Sequence, residues 1–169
     1  MDKKMFCFQC EQTVGCTGCT GNAGVCGKKA DTAKLQDELT GALISLAKAA
    51  DSTETISKRT GQIIIEGLFT TVTNVSFDNA AIENMIQKVR AEKERLVPDC
   101  RTEEYDLQQL WNANEDIRSL KPLILFGIRG MAAYAYHANV LNYEDAEVNQ
   151  FFCEALFKIG YEESVETLL

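Results

Sequence analysis

Five of the seven cysteines fall between positions 7 and 26, in a run that opens Phe6-Cys7-Phe8-Gln9-Cys10 and closes Val25-Cys26-Gly27-Lys28. Cys7 and Cys10 form a C-x2-C pair, whose two sulfurs can reach one metal centre from a single turn, and two more thiolates from the same run can complete the coordination. Glycines at 15, 18, 21, 24 and 27 let backbone N–H groups approach the sulfurs, as iron–sulfur sites require to tune their potential. Four chemistries compete: a four-cysteine iron–sulfur cluster, a structural zinc site, a thiol redox pair at Cys7 and Cys10, and unrelated buried thiols. Zinc ribbons separate their C-x2-C pairs by about fifteen to twenty residues, far more than the gap between Cys10 and Cys16. No thioredoxin-like βαβ pattern surrounds Cys7 and Cys10, and five thiols so close together cannot all be core. The spacing favours the cluster and leaves zinc open.

The rest of the composition narrows the function classes. The chain has 169 residues, a formal charge of −8, 46% hydrophobic and 25% charged residues, which are the values of a globular protein large enough for a real core. Such an acidic chain is a poor partner for nucleic acid or for anionic membranes, because both need a basic face. Met1-Asp2-Lys3-Lys4 is followed by no apolar run of signal-peptide length, and the cysteine count is odd, so a cytoplasmic protein with reduced thiols is expected. The stretch from 122 to 141 carries Arg129, His137 and Asn139 and reads as a buried helix rather than a membrane span.

Residues 1–30 show no apolar period and cannot bury a core of their own; they form the Cys/Gly-rich loop. From Asp31 the pattern turns helical, capped by Asp31 or Thr32, with Leu35, Leu39, Leu43 and Leu46 on one face. A second helix is predicted from about Thr53, with Ile56, Ile63, Ile64, Leu68 and Val72 inward. A third follows Asp78 as cap, burying Ile82, Met85, Ile86 and Val89, with Lys88 to Arg95 as its solvated face. The break at Pro98 to Glu104 divides a first helical bundle (31–97) from a second (98–169). Asn114 starts a helix, and Ser119 is expected to cap a restart that places Pro122 harmlessly in a first turn. A last long helix from Asn142 or Glu144 to Gly160 is expected to bury Val148, Phe151, Phe152, Leu156 and Ile159. The expected fold is all-α: two three-helix-type bundles preceded by an iron–sulfur loop. The apolar carboxyl end reads as a cut.

The opening Met5-Phe6-Cys7-Phe8-Gln9-Cys10-Glu11-Gln12-Thr13, with Gly18-Cys19-Thr20 and Gly24-Val25-Cys26-Gly27-Lys28, resembles the amino terminus of the hybrid cluster (prismane) proteins, the hydroxylamine reductases. The resemblance continues through Glu66 to Asn74, Asn114 to Leu120 and Gly130 to Ala138. It implies that Cys7, Cys10, Cys19 and Cys26 hold a cubane 4Fe-4S cluster, with Cys16 as an alternative ligand. It further implies a longer parent enzyme that reduces hydroxylamine to ammonia and water and is associated with nitric oxide and nitrosative stress. In that parent a second, hybrid iron–sulfur–oxygen cluster sits in later domains that have no counterpart here, so no catalytic residue is expected in this chain. The implied partners are a redox donor protein and the remaining domains of the parent. Two other readings stay open: a non-enzymatic helical module clipped by zinc or iron, and a carbon monoxide dehydrogenase-like iron–sulfur domain, whose fold the family shares.

Outside the loop, bland roles are expected. His137 reads as a packed, hydrogen-bonded side chain. Arg129 is expected to pair with Glu115 or Asp116, or to face the missing part of the protein. Trp111, Tyr134 and Tyr136 read as packing residues and Cys153 as a small buried hydrophobe. Cys100 reads as an exposed thiol, and Glu154, Glu162 and Glu163 as a solvated face.

Overall fold

The computed structural model describes residues 5–10, 17–51, 53, 55–72, 76–98 and 104–169. Among them it places seven helices and no strand: α1 (Ala30–Asp51), α2 (Lys58–Thr70), α3 (Asn79–Leu96), α4 (Gln108–Asn112), α5 (Glu115–Val140), α6 (Ala146–Tyr161) and α7 (Val165–Leu168). The fold is all-α, and no described helix is long and apolar enough to cross a membrane.

Helix α1 lies at the centre because it is apolar on nearly every side. Leu39, Ala42, Leu43, Ile44, Leu46 and Ala47 are all buried, and α2, α3 and α6 pack around them. Small residues allow the approach. A Cβ on Gly67 of α2 would stand 2.7 Å from the Leu43 side chain, closer than carbon atoms tolerate, so only glycine lets α2 lie this near α1. The hydrophobic cluster runs across the break at Pro98: Leu43 and Ile64 share it with Leu125, Phe152 and Ile159.

Local chemistry sets the helix ends. Thr53 donates to the Ala50 carbonyl at 2.6 Å and closes α1, so α2 starts later than expected, at Lys58, where Ser57 accepts from the Thr60 N–H. Asp78 caps α3 and Asn114 caps α5 through their side-chain oxygens, as expected. Ser119 does not cap a restart. It donates to the Glu115 carbonyl, and α5 runs unbroken through Pro122. An interior proline costs about 3 kcal/mol. Burial of Ile117, Leu125, Ile128 and Ala132 along one line of α5 outweighs that, at roughly 1.5–3 kcal/mol for each large apolar side chain.

Two other packing expectations change. In α6 the inward line is Asn149, Phe152, Cys153, Leu156 and Ile159, which leaves Val148 and Phe151 partly exposed. In α3, Glu92 departs from the solvated face: it is fully buried, accepting from Thr60 at 2.7 Å and paired with Arg59 and Arg95.

Candidate metal centre

Main-chain pairing joins the described parts of the cysteine loop. Cys7 N–H donates to the Cys19 carbonyl at 3.0 Å, and Cys19 N–H returns the bond to the Cys7 carbonyl at 2.7 Å. Residues paired in this reciprocal way stand directly opposite, so their side chains project to the same face. The approach depends on Gly18, which has φ of 61° and whose missing Cβ would lie 2.9 Å from the Cys7 carbonyl oxygen. Cys26 sits in a turn closed by Gly27 N–H to the Gly24 carbonyl and by Gly24 N–H to the Lys28 carbonyl, both at 2.8 Å. Cys7 is buried, whereas Cys10, Cys19 and Cys26 are half-buried. Met5, Cys7 and Ala33 form a small apolar cluster that ties the loop to the start of α1.

A polar support lies beneath the loop. Arg129, buried in the middle of α5, donates to Thr71 Oγ1 at 2.9 Å, to Thr40 Oγ1 at 3.0 Å and to the Gln9 carbonyl at 3.4 Å. The Gln9 side-chain amide donates to Asp37 of α1. Burial pushes Arg129 down to about 10 and Asp37 up to about 6, and each group's charge partly offsets the other's shift. Burial also raises the Cys7 thiol, against the opposing charge of Lys28. Phe6 and Phe8 pack on Trp111 in the main core, with Trp111 centroid distances of 4.9 Å to Phe6 and 5.1 Å to Phe8.

Several expected roles change. Arg129 pairs with neither Glu115 nor Asp116; it points inward, under the loop. His137 is exposed, edge-on to Phe69 and Tyr136, and Tyr134 is exposed too. Tyr136 does pack, stacked on Phe69 at 4.5 Å. Cys153 is buried against the Ala47 carbonyl, and burial pushes its thiol up to about 12, as fits a small inert hydrophobe. Cys16 and Cys100 lie outside the described residues. Sequence reasoning missed Gln9, Asp37 and the inward direction of Arg129. The signal was a lone cation in the middle of the apolar stretch of α5.

The chain matches the family model described as Prismane/CO dehydrogenase family over residues 5–168. It belongs to that family. Among curated relatives it is similar to the hydroxylamine reductase of Thermodesulfovibrio yellowstonii, 41% identical over 90% of this chain and 33% of the relative. It is likewise similar to those of Clostridium perfringens, 36% identical over 92% of the chain and 33% of the relative, and Methanococcus vannielii, 38% identical over 92% and 33%. The chain thus spans about a third of the length of these relatives.

Prismane family membership implies iron–sulfur chemistry, and the loop suits it in donor type and backbone. Among the described residues, no three His, Cys, Asp or Glu side chains converge on a single ion. An iron–sulfur cluster would hold several irons, so its thiolate ligands would not need to meet at one point. At Gly24 the backbone comes close to the Cys26 sulfur, since a Cβ there would stand 3.4 Å from that sulfur and 3.3 Å from Met5.

Proposed function

We propose that this chain is the amino-terminal electron-transfer domain of a cytoplasmic hydroxylamine reductase. Cys7, Cys10, Cys19 and Cys26 would hold one 4Fe-4S cluster, with Cys16 a bystander. The observation that carries the reading is the reciprocal Cys7–Cys19 backbone pair seated over Arg129, which presents thiols from distant parts of the loop on one supported face. When bound, the cluster supplies reversible one-electron storage. The protein's own residues do the rest. Phe6, Phe8 and Trp111 anchor the segment around Cys7 to the helical core. Arg129 and Asp37 fix the height of the loop over α1 and α5.

The parent reaction joins hydroxylamine, two electrons and two protons to give ammonia and water, and serves defence against nitrosative stress. Binding the N–O bond needs an open metal position, which four thiolates on a cubane do not leave. The substrate site is therefore assigned to the hybrid cluster in the remaining two-thirds of the parent, and this domain receives electrons from a redox donor protein. Anaerobic reconstitution with iron and sulfide tests the reading. A broad visible charge-transfer absorption that bleaches with dithionite is expected; a colourless protein that retains zinc would overturn it.

A further inference from the structure

Lys28 is a lysine with almost no access to water. It is 2% exposed and is among the largest side chains that the fold buries. An ammonium in such a position is costly unless an opposite charge compensates it. Among the described residues its ammonium makes no contact ion pair with a carboxylate, the charge of Asp37 being felt only through space; it reaches the Cys7 sulfur at 3.8 Å, a distance suited to an N–H···S hydrogen bond. The main chain on both sides is held independently. The Lys28 carbonyl accepts from Gly24, and Ala23 pairs with Lys29. The side chain is therefore delivered to Cys7 by a fixed turn rather than left there by a flexible tail.

A neutral Cys7 thiol would make a poor partner for this charge. A cubane held by four thiolates makes a good one, since the assembly is anionic and becomes more so on reduction. Hydrogen bonds donated to the sulfurs and positive charges near them favour the electron-rich state and raise the potential. We propose that Lys28 is a positioning residue that sets the reduction potential of the cluster through its hydrogen bond to the Cys7 sulfur, an inference that rests on the ligand set given above.

The test is a redox titration of the reconstituted chain, wild type against Lys28→Met and Lys28→Arg, read by the visible absorption of the cluster. Iron and sulfide analysis of the wild type comes first; absence of both would remove the underlying reading, separately from anything Lys28 does. With the cluster present, Lys28→Met is expected to lower the reduced-to-oxidised ratio at fixed potential about tenfold, a downward shift of about 59 mV for one electron. Lys28→Arg is expected to recover most of that shift by restoring a cationic donor. A loaded Lys28→Met protein at the wild-type potential would overturn the proposal, and so would equal shifts in the two variants. If Lys28→Met loads no cluster, Lys28→Gln takes its place under the same two criteria. Should neither neutral variant load, an Arg variant that loads at the wild-type potential supports the charge, and one that also fails overturns the proposal.

Discussion

Arg129 donates to the main-chain carbonyl of Gln9, 120 residues earlier in the chain, and so ties the middle of α5 to the residue just before Cys10. The same guanidinium holds Thr71 at the end of α2 and Thr40 in α1. One side chain therefore fixes the loop relative to three helices. Replacing Arg129 with Met takes its donor from the Gln9 carbonyl and its charge from the half-buried Asp37, while Thr40 and Thr71 keep only their bonds to the Gln36 and Leu68 carbonyls. The expected loss is about 3 kcal/mol of stability, read from the urea midpoint, with less iron bound per chain after reconstitution.

The ligand assignment predicts an uneven response to serine. Cys7→Ser, Cys10→Ser, Cys19→Ser and Cys26→Ser should each lose the intact cluster, whereas Cys16→Ser and Cys153→Ser should keep it. Iron and sulfide content measure this. Retention in Cys19→Ser together with loss in Cys16→Ser would exchange the third ligand.

Glu92 makes stability depend on pH in a region away from the loop. Hydrogen bonds from Arg95 and then Thr60 hold its carboxyl below the ordinary carboxylate range. A depressed carboxyl stabilises the fold above its unfolded value, near 4.5, and that contribution disappears as the pH falls through the folded value. Glu92→Gln should therefore cost roughly 1–3 kcal/mol at pH 7 and much less in strong acid. Urea unfolding of both proteins at several pH values would show the difference closing on acidification; a constant difference would contradict the ion-pair role.

The chain alone, with its cluster loaded and reduced, should not turn over hydroxylamine. Ammonia formation is the readout, against a free-iron control. It should still take an electron from dithionite and return it to an oxidant. Sustained ammonia production that is lost in Cys7→Ser would place the reaction in this chain.

Helix positions were legible where periodicity and caps agreed, as at Asp78 with Ile82, Ile86 and Val89, and at Asn114 before Ile117. They were misread where packing overrode a local rule. Pro122 lies inside α5 because Leu125 and Ile128 bury on the same line as Ile117, and a proline's penalty is smaller than their combined burial. The cysteine spacing singled out the segment from 7 to 26 as the candidate metal site, since few other chemistries need five thiols so close together. Its supports were not legible. Gln9, Asp37 and Arg129 are far apart in the chain, and the polarity of a side chain does not reveal which partner it will meet. Glu92 shows the same gap: in a lysine- and glutamate-rich run nothing marks which carboxylate turns inward.

The span between Gln9 and Arg129 also orders events during synthesis. A nascent chain emerges with its thiols first and their anchor about 120 residues later. At typical elongation rates of about 5–20 residues per second, the thiols wait roughly 6–24 s before α5 can dock beneath them. During that interval the loop has its own short-range pairing but no floor. Metal captured then would be held by a site still lacking its support, and cofactor insertion is best timed after translation of α5 is complete.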